Sequence, residues 1–169
     1  MKSNLTKEIE ANLLNYLRFK KTILVCNEVS IKHGICDIFG IKVKKFISKP
    51  NIYTGYEYEI KISKNDFKNE LRSKNKIKKH KYYASGVSAP NKPNYFNYVT
   101  TPELKDFALN FVKNINKKYG IMIYQDGEIV SIKNSRKLCK IGNCEDTLLL
   151  NLLYRSTSAY CNLINKEQN

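Results

Sequence analysis

The sequence lacks the features that mark secreted and membrane proteins. Among its 169 residues, no apolar run approaches the roughly 20 residues that a membrane-spanning helix needs. The N-terminal segment alternates charged and apolar residues and contains no apolar signal-peptide core. We therefore expect neither secretion nor membrane insertion, and a cytoplasmic location.

Cysteine is too scarce and too irregularly spaced to suggest a disulfide framework. The five cysteines are odd in number and include no C-x-x-C pair, which favours reduced thiols. A zinc site could be assembled from His33, Cys36, Cys139 and Cys144. Cys26 and Cys36 lie within apolar strand patterns, however, so buried structural thiols are the favoured interpretation.

Acidic residues are also scarce. Fifteen Asp and Glu stand against 30 Lys and Arg, which gives a formal net charge of +15. Codon drift in an AT-rich genome would also enrich a chain in Lys, Asn, Ile and Tyr. Such drift favours Glu as well, however, and does not explain the excess of basic over acidic residues. An excess of this size is typical of proteins that bind polyanions, and it favours nucleic acid as the partner.

The order of the predicted elements indicates one α/β domain over residues 1–169. The chain has no repeats, no low-complexity block and no linker long enough to divide it. The pattern αβββαβαββα predicts a mixed central sheet flanked by helices. The predicted helices are 4–19, one that follows a Ser63–Asp66 capping box and runs into a basic stretch, one from Thr101 to Gly120, and 143–164. The predicted strands are 22–31, 35–43, 56–63, 94–100, 121–124 and 128–133. The last two are predicted to form a hairpin with a primed turn at Asp126-Gly127.

Three residues suggest a catalytic site. Asp37 lies in the apolar strand ICDIFGI, while Glu59 and Lys61 lie two apart in YEYEIKIS and project from one strand face. Two converging carboxylates would form a hard-oxygen site for Mg²⁺ or Mn²⁺. A neighbouring lysine could stabilise developing negative charge or orient a water molecule, which suits phosphodiester hydrolysis.

The E-x-K pattern alone is weak, because alternating Glu and Lys often mark the solvated face of an edge strand. Asp37 is harder to dismiss, since an unpaired charge in an apolar strand costs several kcal/mol unless a partner or a metal compensates it. The two observations together favour the site.

These motifs resemble the PD-(D/E)XK nuclease superfamily, which has the restriction-endonuclease-like fold. The order Asp37…Glu59-Ile60-Lys61 carries the resemblance, and the run EIKISKNDF with DGEIVSIKNSRKL is similar to the MmcB-like nucleases associated with DNA repair and phage genomes. The resemblance spans residues 22–164. Cys36 stands where the superfamily name has proline, a residue that many members lack.

The resemblance implies a set of roles for individual residues. Asp37, Glu59 and the carbonyl of Ile60 would bind Mg²⁺ or Mn²⁺, and Lys61 would be the catalytic lysine. Glu10 matches an acid on the first helix of many members, and it also reads as a glutamate at the rim of its helix. Glu28 is a weaker alternative. Ser63 and Asp66 match the subfamily run, but helix capping explains them fully.

The basic stretch after the E-x-K motif predicts contacts with a phosphate backbone. A solvated helix face is the alternative, but the excess of basic residues favours binding. The predicted contacts are Lys64, Arg72, Lys74, Lys76, Lys78, Lys79 and Lys81. Nearby aromatic residues could stack on unpaired bases, although we expect Tyr83 and Phe96 to lie in the core.

Two functions follow from these observations. The first is a metal-dependent DNA nuclease of repair, recombination or phage DNA metabolism, acting in a bacterium or a phage-infected cell. The second is a basic accessory or inhibitory protein on the same fold that binds nucleic acid without cutting it. The intact trio of Asp37, Glu59 and Lys61 favours the nuclease. The preference for DNA over RNA comes from the resemblance alone, and a homodimer would suit cutting of two strands.

Overall fold

The computed structural model describes residues 2–31, 34–48, 52–87 and 92–139. Within these residues the chain forms four α-helices and six β-strands. The helices are α1 (Asn4–Asn15), α2 (Lys64–Arg72), α3 (Lys74–Ala84) and α4 (Lys105–Ile115). The strands are β1 (Leu24–Ile31), β2 (Gly34–Lys44), β3 (Ile52–Ile60), β4 (Tyr95–Thr100), β5 (Gly120–Gln125) and β6 (Glu128–Lys133).

All six strands form one mixed sheet in the order β1-β2-β3-β4-β5-β6. Strands β1, β2 and β3 pair antiparallel, as do β5 and β6, whereas β4 pairs parallel with both β3 and β5. Parallel neighbours need a crossover connection. The helices α2 and α3 make the first crossover and α4 makes the second.

Helices cover both faces of the sheet. On one face, Leu13 of α1 belongs to a buried cluster with Tyr58 of β3. On the other face, Phe67 of α2 and Phe111 of α4 pack around Tyr98 of β4. The predicted α/β class, with a mixed sheet flanked by helices, is confirmed. Among the described helices, none combines the length and the apolar character that crossing a membrane requires.

The helix predicted after β3 is divided in two. Ser63 caps α2 as predicted, because its hydroxyl accepts the backbone N–H of Asp66 and donates to the Asp66 carboxylate. The helix then stops at Ser73, whose backbone is extended, and α3 starts immediately afterwards. The break gives α3 its own buried face, formed by Lys79, His80 and Tyr83.

Gly120 was predicted to end the helix before it, but α4 ends at Ile115 and Gly120 is the first residue of β5. The glycine has a packing reason instead. Gly120 lies beside Asn97 in the β4–β5 ladder, and a Cβ at position 120 would lie 2.1 Å from the Asn97 Oδ1 atom. No residue with a side chain fits there without displacing Asn97.

The hairpin predicted between β5 and β6 is confirmed. Asp126 and Gly127 both have positive φ angles, 51° and 81°, as the primed two-residue turn requires. The helix predicted over 143–164 lies outside the described residues.

The cysteines that the structure describes are buried. Cys26 and Cys36 belong to a cluster between β1 and β2, and the Cys36 thiol donates to the carbonyl of Val29 at 3.3 Å. Burial raises the pKa of Cys36. The expectation of buried structural thiols is confirmed for this pair. His33 and Cys144, which the zinc alternative needs, lie outside the described residues.

Candidate active site

The predicted catalytic residues of β2 and β3 line one pocket of about 300 Å³. The side chains of Asp37, Glu59 and Lys61 contribute to its wall together with Ile60, and α2 closes the other side through Asp66 and Glu70. The structure therefore brings together residues that are 22 positions or more apart in the sequence.

Asp37 lies where β3 leaves β2. The last pair in the β2–β3 ladder is Ile38 with Tyr58, so Ile60 has no backbone partner in β2. The Asp37 Oδ2 atom accepts the Ile60 N–H instead, at 2.7 Å. Burial raises the pKa of Asp37, and the nearby Glu59 carboxylate raises it further. A cation beside the two carboxylates would reverse this effect.

Glu59 is buried, with 2% of its surface exposed, and three lysines hold it. The ammonium groups lie 2.6 Å (Lys79), 2.9 Å (Lys76) and 3.2 Å (Lys61) from its oxygens. Burial opposes ionisation, but the three lysines outweigh it and lower the pKa of Glu59 to about 2. The group is therefore a carboxylate at neutral pH.

Lys61 connects two buried acids. Its Nζ atom lies 3.2 Å from Glu59 and 2.7 Å from Glu70. Burial alone would lower the pKa of Lys61, but Glu59 and Glu70 outweigh it and the pKa is raised. The backbone is fixed as well, since its N–H donates to Val99 and its carbonyl accepts the Thr100 hydroxyl at 2.6 Å. A charged, oriented ammonium group therefore faces the pocket.

Glu70 is the site residue that the sequence interpretation missed. It stands four residues before Lys74, a spacing typical of a surface ion pair, but its carboxylate is buried and contacts Lys61, Lys76 and the His80 Nε2 atom. Burial opposes ionisation, whereas His80, Lys61 and Lys76 lower the pKa of Glu70. The sequence does contain a signal for this burial, because Glu70 follows Phe67 by three residues and so shares its buried helix face.

The structure corrects one member of the predicted phosphate-binding stretch, Lys79, which is buried. Only 1% of its surface is exposed, because α3 turns it towards β3, where it pairs with Glu57 at 3.0 Å as well as with Glu59. Glu57 is fully buried and also accepts a hydrogen bond from the Tyr83 hydroxyl. Lys79 cannot reach a phosphate from this position.

The rest of the basic stretch divides by exposure. Lys76 is half-buried and lines the pocket, where it pairs with Glu59 and Glu70. The exposed members are Lys64, Arg72, Lys74, Lys78 and Lys81. Tyr83 and Phe96 lie in the core, as predicted.

Glu10 is not among the residues that line the pocket. Its carboxylate is held by the Lys2 Nζ atom at 2.8 Å and by the Asn27 amide at 2.6 Å. Lys2 also pairs with Glu28 at 3.1 Å and lies near enough to Asp37 to lower its pKa. Glu10, the predicted acid of the first helix, is therefore connected to the site indirectly, through Lys2.

Comparisons with known proteins show a similarity in fold. No family model and no curated protein matches this chain. It is similar in structure to the SPO1766 protein of unknown function from Silicibacter pomeroyi. The TM-score is 0.60 at 9% sequence identity, over 100% of this chain and 94% of that chain. At this identity the likeness concerns the fold alone.

The lowered pKa of Glu70 predicts acid sensitivity. Its ordinary value is 4.5, so the ionised group stabilises the fold above about pH 4.5, and the contribution is lost as the pH falls further. Glu70→Gln should therefore be less stable than the wild type at pH 7, and the gap should narrow on acidification. Chemical unfolding at pH 7, 5, 4 and 3 measures it. The control is Glu128→Gln, an exposed partner of Lys20, which should show almost no gap; a constant gap for Glu70→Gln would contradict the prediction.

Proposed function

We propose that this protein is a metal-dependent nuclease that hydrolyses phosphodiester bonds in DNA, on a sheet of the restriction-endonuclease-like kind. The observation that carries the proposal is the meeting of Asp37, Glu59 and Lys61 in one pocket of about 300 Å³. The mixed sheet with helices on both faces is compatible with that fold.

The donor set fits Mg²⁺ or Mn²⁺. Among the described residues there is no cluster of three or more His, Cys, Asp or Glu that would hold a metal unaided. Mg²⁺ is commonly bound through only one or two carboxylates, and water and substrate phosphate complete its shell. Asp37, Glu59 and the Ile60 carbonyl would provide such a partial set. The ion would supply a polarised phosphate and a water molecule of lowered pKa.

Lys61 would act on the scissile phosphate or on the attacking water. Its ammonium group is charged, it faces the pocket, and Glu59 and Glu70 fix its direction. A fixed positive charge in a largely buried site stabilises negative charge that develops on the phosphate oxygens. Glu70 therefore serves as a positioning residue for Lys61.

DNA would approach over the exposed basic residues of α2 and α3. These helices carry Lys64, Arg72, Lys74, Lys78 and Lys81 on the surface, and α2 lines the pocket. Contacts of this kind are independent of sequence and weaken steeply with salt.

The test is cleavage of labelled single-stranded, duplex and branched DNA with Mg²⁺ or Mn²⁺ by the wild type and by Asp37→Asn. Asparagine still accepts the Ile60 N–H but has lost the charge, so the fold should persist. We expect at least about a hundredfold loss of rate, because even residues behind metal ligands cost 10–100-fold.

A matched control is Asp66→Asn. Asp66 lines the same pocket and likewise accepts a backbone N–H, from Ile62 at 3.2 Å, but its role is helix capping. It should keep most of the cleavage. Equal losses in both variants would refute a metal-binding role for Asp37.

A second function has its own supporting observation. Glu59 is already neutralised by three lysines, as a purely structural carboxylate would be. The alternative is a basic protein that binds nucleic acid without cutting it. Binding without cleavage across the whole panel, with either metal, would select this alternative.

A further inference from the structure

A second pocket, of about 370 Å³, opens on the other face of the sheet. Tyr58 lines it, whereas the next residue, Glu59, lines the candidate active site. Adjacent residues of a strand point to opposite faces. The volume falls within the range of about 300–1,000 Å³ that small-molecule sites occupy.

Two tyrosines that line this pocket stack face to face. Tyr56 of β3 and Tyr95 of β4 are partners in the parallel ladder, and both are half-buried. Their rings stack with centroids 4.9 Å apart and planes 11° apart. Each ring covers one face of the other, so the pair offers its outer ring face to a planar ligand. Stacking on aromatic rings is how proteins bind nucleobases without reading a groove.

Asn97 also lines the pocket, and it is buried with 6% of its surface exposed. Its side-chain amide makes no hydrogen bond to any residue in the described parts of the chain. A buried polar group without a partner costs about 1–3 kcal/mol. Its amide offers one acceptor and two donors, the complement of a base edge.

The charge of the pocket is positive. Lys21 and Lys42 contribute to its wall, and among the described residues that line it there is no Asp or Glu. The Lys21 Nζ atom lies 5.4 Å from the ring centroid of Tyr16, another lining residue, so this lysine is held at the rim. Two ammonium groups beside an aromatic surface suit an anion attached to a planar ring.

We propose that this pocket binds a nucleoside phosphate, with the base stacked on the outer ring face of the Tyr56–Tyr95 pair, Asn97 bonded to the base edge, and Lys21 and Lys42 facing the phosphate. The ligand is a free nucleotide or the end of a nucleic-acid strand, since the two share this chemistry. The site lies on the opposite face from the candidate active site and does not depend on cleavage or on a metal.

Calorimetric titration of the full chain with adenosine 5′-monophosphate, adenosine and inorganic phosphate, in the presence of EDTA, tests the proposal. The nucleotide should bind more tightly than adenosine or phosphate. Lys42→Glu should weaken it by about tenfold, as expected for the loss of one charge-assisted contact. The matched control is Lys44→Glu, on the same strand and face but outside the pocket, which should have little effect.

Asn97→Leu separates binding from folding. Leucine has a similar shape and removes a buried amide that lacks a protein partner, so the melting temperature should stay equal or rise while nucleotide affinity falls about tenfold. A lower melting temperature would indicate a structural role for Asn97. Absence of nucleotide binding, or equal losses in the Lys42 and Lys44 variants, would overturn the proposal.

A 5′-phosphorylated hexadeoxyadenylate distinguishes the two sources of the ligand. If the pocket holds a strand end, the hexamer should bind more tightly than the mononucleotide, and Asn97→Leu should weaken both. If the ligand is a free nucleotide, the mononucleotide should bind at least as tightly as the hexamer. These titrations contain EDTA and no divalent metal, so their outcome does not depend on whether the protein cleaves DNA.

Discussion

Lys79→Met is expected to lower the free energy of unfolding by about 3–5 kcal/mol. The methionine keeps most of the buried stem of Lys79 but removes its charge. Glu57, at 3.0 Å, loses its only ion-pair partner within the described residues, and Glu59, at 2.6 Å, loses the nearest of its three. An uncompensated carboxylate in the interior is among the most destabilising of single changes. Urea unfolding monitored by circular dichroism at pH 7 measures the loss.

Lys78→Met provides the matched control. Lys78 is the preceding residue of α3, carries the same charge and is exposed. Its substitution should change stability by no more than about 0.5 kcal/mol. Similar losses in the two variants would show that Lys79 is not paired in the interior as described.

Lys61→Met is expected to reduce the cleavage rate by about 10²–10⁴-fold, the usual range for a positioned catalytic side chain. The change removes the ammonium group that Glu59 and Glu70 direct at the pocket. DNA affinity should be nearly unchanged, because this lysine is one of 30 Lys and Arg residues. Single-turnover cleavage and a separate binding assay without divalent metal report the two quantities.

Lys76→Met distinguishes catalysis from support of the acids. Lys76 pairs with the same two carboxylates, at 2.9 Å from Glu59 and 3.5 Å from Glu70, and also lines the pocket. If Lys61 acts on the reacting phosphate, its loss should cost far more activity than the loss of Lys76. Equal losses would mean that both lysines only hold Glu59 and Glu70 in place, and the catalytic role of Lys61 would be abandoned.

Local patterns predicted the elements well where one force dominated. The alternation in β3 correctly separated Tyr58 and Ile60 from Glu57 and Glu59, because successive side chains of a strand point to opposite faces. It did not reveal that both faces of this strand are buried. The Asp126-Gly127 turn was equally predictable, since it requires positive φ angles that glycine adopts freely.

The predictions from sequence failed where tertiary contacts outweighed local preference. Glu70 and Lys79 looked like an exposed acid and an exposed base on a charged helix. Lys79 is buried because it pairs with Glu57 and Glu59 of β3, which a sequence window around α2 and α3 does not contain. Glu70 is buried because it pairs with Lys61, just after β3, and with Lys76 and His80 of α3, which the packing of α2 against α3 brings to it. Gly120 looked like a helix terminator, and its true constraint comes from Asn97 on a neighbouring strand. Asp37, Glu59 and Lys61 could be named in advance, but the ion pairs that hold Glu59 and Lys61 could not.

The buried ion-pair cluster is electrically balanced within itself. It joins three glutamates, Glu57, Glu59 and Glu70, to three lysines, Lys61, Lys76 and Lys79. The formal excess of +15 is therefore carried by the remainder of the molecule. Purification from cell extract should yield protein with adhering RNA and DNA unless a high-salt wash displaces them. With 12 tyrosines and no tryptophan to absorb at 280 nm, a small amount of such carry-over will dominate the ultraviolet spectrum.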